Sequence, residues 1–111
     1  MTDCLFCKII AGDIPSDRVY EDESCYAFKD ITPQAPLHIL VIPKRHIPKV
    51  AEMADTDSVI IGGLISTAAK ICKDKGIEDY RLVINNGEGA GQSVFHIHLH
   101  ILAGRSLGPL G

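Results

Sequence analysis

The chain has 111 residues, 46% of them apolar and 23% charged, and a net charge of −3. That composition fits one globular domain over residues 1–111, and no run of Lys or Arg offers the basic face that a polynucleotide partner requires. No apolar run reaches bilayer-spanning length and Met1-Thr2-Asp3-Cys4 lacks a secretory-signal pattern, so the expected setting is the cytoplasm, with no membrane partner and the four cysteines as thiols or metal ligands.

In chain order, Cys4-Leu5-Phe6-Cys7-Lys8-Ile9-Ile10 reads as a short helix ended by Gly12 and broken by Pro15. Its Cys-x-x-Cys pair has three readings: a redox pair, half of a zinc site, or two small buried hydrophobes. No strand precedes it, as a thioredoxin-like redox setting would need. Arg18–Glu21 and Cys25–Asp30 read as a hairpin about the polar turn Glu21-Asp22-Glu23-Ser24. Ala35-Pro36-Leu37-His38-Ile39-Leu40-Val41-Ile42-Pro43 reads as a central strand buried on both faces, with His38 its one polar residue. Lys44-Arg45-His46-Ile47-Pro48 is a loop.

Asp55-Thr56-Asp57 offers caps for a helix running to about Lys75, with Ile61, Leu64, Ile65, Ala68, Ile71 and Cys72 at helical spacing and Gly76 as its stop. Tyr80–Asn85 reads as a further strand. It feeds a Gly-rich loop, Asn85-Asn86-Gly87-Glu88-Gly89-Ala90-Gly91-Gln92-Ser93, of the kind whose backbone N–H groups can approach an anion.

The stretch Ser93–Leu102 then carries His96, His98 and His100 at alternate positions, with Ile97, Leu99 and Ile101 between them. A period of two predicts a strand with three imidazoles on one face, neighbours roughly 7 Å apart and out of direct ring contact. Such a face could bind a metal, since neutral imidazole is a common ligand. It could also attack phosphorus, forming a labile phospho-histidine while neighbouring donors hold the oxygens. The Gly-rich entry loop favours the second chemistry. Strands in runs around one long helix predict an α+β domain.

Gly-Gln-Ser-Val-Phe-His96-Ile-His98-Leu-His100-Ile-Leu resembles the histidine-triad (HIT) nucleotide-binding family, in its nucleoside phosphoramidase branch. Phe28-Lys29-Asp30-Ile31-Thr32-Pro33-Gln34-Ala35-Pro36 and His38-Ile39-Leu40-Val41-Ile42-Pro43-Lys44 carry the resemblance over nearly the whole chain. It implies the HIT-like fold: an antiparallel sheet of about five strands, one long helix and a short N-terminal helix, with the helices on one side. It also implies a homodimer with the long helix and central strand at the interface.

By the same resemblance, His98 is the nucleophile toward the P–N bond of purine nucleoside 5′-phosphoramidates such as AMP-amine or AMP-lysine conjugates. Ser93 delivers a proton to the leaving nitrogen. His100, Asn85 and the N–H groups of Gly91, Gln92 and Ser93 hold the phosphate. His96 and His38 support the triad. Asp30 binds the ribose, and Phe6, Ile9, Phe28 and Ile31 line the base pocket. Catalysis requires no cofactor in this scheme, while Cys4, Cys7, His46 and His96 are a candidate structural zinc site. The chain departs from some relatives in lacking Trp and in its shorter tail, which leaves the preferred leaving group open. The rival readings are a dinucleoside polyphosphate hydrolase and a non-catalytic nucleotide-binding scaffold.

Overall fold

The computed structural model describes residues 3–110. Five strands form one antiparallel sheet: β1 (Arg18–Glu21), β2 (Cys25–Lys29), β3 (Leu37–Pro43), β4 (Tyr80–Val83) and β5 (Leu99–Ala103), in the order β1-β2-β3-β5-β4. The helices are α1 (Leu5–Ala11) and α2 (Ser58–Asp74). The α+β architecture is the expected one. No helix among the described residues is long and apolar enough to cross a membrane.

The helices take opposite faces of the sheet, not one side. Alternation along β2 and β3 decides this. Ala27, Ile39 and Val41 point to a core closed by Leu64, Ala68 and Ile71 of α2, which Leu99 and Ile101 complete. Tyr26, Phe28, Leu40 and Ile42 point the other way and meet Phe6 and Ile9 of α1. A helix of seven residues cannot cover five strands, so β3 and β5 keep an open strip beyond α1. His38 and His100 stand on that strip.

β3 pairs with β2 on one side and β5 on the other, and all but its first residue is buried. It is an inner strand of this chain's own sheet. The outer edge of the sheet on that side belongs to β4.

β5 begins only at Leu99, six residues later than Ser93. Its pairing with β3 runs from Leu37↔Ala103 to Val41↔Leu99; continued, the register would set Ile42 opposite His98 and then Pro43, which has no N–H to donate, opposite Ile97. Residues 93–98 are held by loops instead, with the Ile97 N–H donating to the Ile47 carbonyl at 2.8 Å. At the far end, Gly104 (φ +100°) packs so closely that a Cβ there would stand 2.8 Å from Cβ of Pro36. α2 is preceded by Asp57, whose carboxylate turns back to accept from the Ala54 N–H (2.9 Å) and Arg45 (2.6 Å) without capping the helix itself.

Candidate active site

The three triad histidines turn to three different partners. His96 is fully buried, and its Nε2 lies 2.7 Å from the carbonyl of Pro43. A carbonyl only accepts, so Nε2 carries the proton and Nδ1 presents a lone pair. His98 Nδ1 donates in the same way to the His96 carbonyl at 2.8 Å, which leaves His98 Nε2 as the unprotonated nitrogen.

His100 is set through His38. The Gln34 N–H donates to His38 Nδ1 at 3.1 Å, so the His38 proton sits on Nε2 and is donated to His100 Nδ1 at 2.9 Å. The remaining His100 proton is then on Nε2, a buried atom with no partner among the described residues. One imidazole offers a lone pair and its neighbour offers an N–H. Their rings are 4.9 Å apart, closer than an extended strand would hold them, because His98 lies outside β5.

Burial keeps these groups neutral. It pushes the His100 pKa down to about 4, helped by His98 and His38, and that of His96 down to about 4 as well. His98 and His38 are lowered by the same cause, partly offset at His98 by its bond to the His96 carbonyl and at His38 by Asp30. Asp30 Oδ2 lies 3.4 Å from His38 Nε2, a contact with a neutral ring.

Two cavities meet at this pair. An apolar one of about 350 Å³ is lined by Phe6, Ile9, Phe28, Ile31, Leu40 and Val94. A polar one of about 370 Å³ is lined by Thr32, Gln34, His38, Asn85 and Gly91. Asp30, Ser93, His98 and His100 border both. All four expected apolar residues thus share one cavity, where Phe6 stacks edge-on to Phe28 (5.5 Å) and to His98 (5.1 Å). Ile31 stands at its mouth, 96% exposed. Leu40 and Val94 were not singled out from the sequence; Leu40 was readable, being two residues along the strand from His38.

The Gly-rich loop corrects an expectation. Gln92 is 2% exposed and faces neither cavity. Its Oε1 accepts from Gly87 N–H, and its Nε2 donates to the carbonyls of Pro48 and Val94. The backbone N–H of Gly91 bonds Glu88 and that of Gln92 bonds Gly87, inside the loop. Of the three backbone donors expected to hold phosphate, two are occupied internally. Gly91 has φ +101°, a left-handed backbone that favours glycine at this turn, and Asn85 lies beside it at the polar cavity's edge.

A second cluster lies behind the first. Cys4, Cys7, His46 and His96 bring their ligand atoms within 4.8 Å of one another. His96 Nδ1 is 3.3 Å from Cys4 Sγ and 3.6 Å from Cys7 Sγ, His46 Nδ1 is 3.4 Å from Cys7 Sγ, and the two Nδ1 atoms are 3.2 Å apart. The edges of a tetrahedron with zinc–sulfur and zinc–nitrogen bonds of ordinary length are roughly 3.3–3.8 Å, so the donor set and its spacing fit a closed site. The Pro43 carbonyl on His96 Nε2 is the kind of outer contact that orients a ligating imidazole.

The HIT domain family matches residues 11–107. The chain belongs to the HIT family. It is 48% identical over 108 residues to the purine nucleoside phosphoramidase of Escherichia coli, covering 96% of this chain and 91% of that protein. Among solved structures, a histidine triad protein from Clostridium difficile has a TM-score of 0.96 at 42% identity, over 100% of this chain and 98% of that one. A HIT family hydrolase from Legionella pneumophila has a TM-score of 0.92 at 46% identity, over 96% of each chain. The HIT fold thus extends over nearly the whole molecule.

Proposed function

We propose that this HIT protein is a hydrolase of purine nucleoside 5′-phosphoramidates acting through a nucleotidyl-histidine. One observation carries the reading: backbone groups set the protons so that His98 Nε2 is a nucleophile and the adjacent His100 Nε2–H is a donor, both at the junction of an apolar and a polar cavity. The base enters the apolar cavity against Phe6 and Phe28, and the Asp30 carboxylate, at the cavity border, takes the ribose hydroxyls.

His98 Nε2 attacks the α-phosphorus as the P–N bond breaks. The amine leaves with a proton delivered by way of Ser93. Water then attacks the phosphorus, releasing nucleoside monophosphate and restoring His98. His100 and Asn85 donate to oxygens on which charge builds, each worth a few kcal/mol by analogy with other positioned donors. His96 acts by holding His98 through its carbonyl.

The lining of the polar cavity supports an amine as the leaving group. None of its lining residues is Lys or Arg, and Asp30 borders it. A polyphosphate leaving group would find no countercharge there, whereas an amine needs none. The 48% identity to a phosphoramidase supports the same choice. Zinc bound by Cys4, Cys7, His46 and His96 is part of the proposal, as a structural clamp with no open position for chemistry. A homodimer is too, supported by the open edge of β4 and by Val59 and Ile65, exposed on α2. So is a cytoplasmic setting.

The test is AMP release from an adenosine 5′-phosphoramidate, beside diadenosine tetraphosphate and His98→Ala protein. Phosphoramidate cleavage lost in the variant is the expected result. Cleavage of the tetraphosphate alone would move the protein to the polyphosphate branch. Binding of AMP with neither cleavage would leave a scaffold.

A further inference from the structure

The cysteine–histidine cluster and the nucleotide pocket share parts. Cys4 and Cys7 enclose Leu5 and Phe6, and both enclosed residues line the apolar cavity. His96, the buried member of the cluster, gives its carbonyl to His98 Nδ1 at 2.8 Å, and its ring lies 5.9 Å from that of Phe6. One wall of the pocket and the orientation of the attacking imidazole are each fixed within two residues of a cluster member.

Apart from the cluster, this wall is held by apolar packing, with Phe6 and Ile9 against Tyr26, Phe28, Leu40 and Ile42. α1 has seven residues, of which only Phe6 and Ile9 are buried. A helix that short has no stability of its own in water. Its N-terminus is held at Cys4, whose sulfur accepts from the Cys7 N–H at 3.4 Å and lies 3.3 Å from His96 Nδ1. Drawing the four donors onto one ion would pin the first turn of α1 to His96 and to the loop carrying His46.

We propose that metal binding at Cys4, Cys7, His46 and His96 and nucleotide binding in the apolar cavity strengthen each other, with α1 and the His96 carbonyl as the connection. This rests on the nucleotide and zinc readings above. Cys4, Cys7 and His46 are on this view positioning residues: they touch no substrate but set where Phe6 and His98 stand. A ligand whose pocket is populated in only part of the ensemble binds more weakly by that fraction, and an ion that orders the pocket removes the deficit. Linkage requires the same factor in both directions.

The experiment titrates AMP by calorimetry into zinc-loaded protein, into the same protein stripped by chelator, and into His46→Ala protein. In parallel, zinc release into excess chromogenic chelator is followed with and without saturating AMP, a readout that needs no stable metal-free state. The expected results are roughly tenfold tighter AMP binding with zinc, within the range usual for coupled sites, and zinc release slowed by AMP. His46→Ala, whose changed residue lies outside the pocket, is expected to bind AMP like the stripped protein. Equal AMP affinity in all three samples, or zinc release indifferent to AMP, overturns the coupling while leaving both binding sites standing. Protein that binds no zinc overturns it through the metal reading, and zinc-loaded protein that binds no AMP overturns it through the proposed function.

Discussion

The two faces of the sheet are made by the same strands in strict alternation, yet they do different work. On the α2 face Ile39, Val41, Leu99 and Ile101 meet Leu64, Ala68 and Ile71, all at most 4% exposed. On the α1 face the alternate residues include His38 and His100, and the short helix leaves them a cavity in place of a partner layer. A face fully covered by a long helix supplies stability. A face half covered by a short one retains room for a ligand while excluding enough water to keep its imidazoles neutral.

This contrast can be broken from either side. The largest expected effect is that of His98→Ala: turnover falls by roughly ten-thousand-fold or more, as when a nucleophile is removed, while cooperative unfolding persists. AMP release and a thermal melt on the same sample check it. Leu64→Ala should do the reverse, costing about 2–5 kcal/mol of stability in urea titrations with turnover per folded molecule unchanged, because Leu64 is fully buried on the face without chemistry. If Leu64→Ala lowered turnover as much as stability, the two faces would not be separable.

Smaller effects sharpen the comparison. His38→Ala removes the donor to His100 Nδ1, so its tautomer is no longer set. A loss of roughly 10–100-fold in kcat is expected, by analogy with other groups that orient a working imidazole, with KM nearly constant. Ile31→Ser should leave stability within about 0.5 kcal/mol, since its side chain is in water, and raise KM roughly fivefold for about 1 kcal/mol of lost contact with the base.

The elements were legible because their periods are strong. β3 is a run between prolines that is apolar except for His38, and α2 carries its stripe at helical spacing. The start of β5 was not legible. Val94-Phe95-His96-Ile97 reads like the rest of the strand, and the one hint on the opposite strand is Pro43, two places past Val41, where a continued ladder would lack a donor. The faces of the helices were hidden for a different reason: Phe6 and Ile9 are as apolar as Leu64 and Ala68, and either pair suits either side of a sheet.

At the site, the histidines and the four apolar pocket residues could be named because their types are chemically specific. Their protons could not, since these depend on the carbonyls of Pro43 and His96 and on the N–H of Gln34, and every residue type but proline has both groups. Gln92 shows the opposite hazard. In a Gly-rich loop a glutamine suggests a ligand contact, yet every hydrogen bond of this side chain goes to the protein's own backbone.

Gly104 has a consequence for saturation mutagenesis. Its left-handed backbone and the 2.8 Å approach to Pro36 exclude any other side chain, so a scan would score the position as intolerant as His98. Yet it borders neither ligand cavity, and a heat map of activity alone would mark it as part of the catalytic apparatus. Gly89, with nothing within 4 Å of its missing Cβ and no left-handed backbone, should accept most replacements. A stability scan beside the activity scan would separate intolerance that comes from geometry, as at Gly104, from intolerance that comes from chemistry, as at His98.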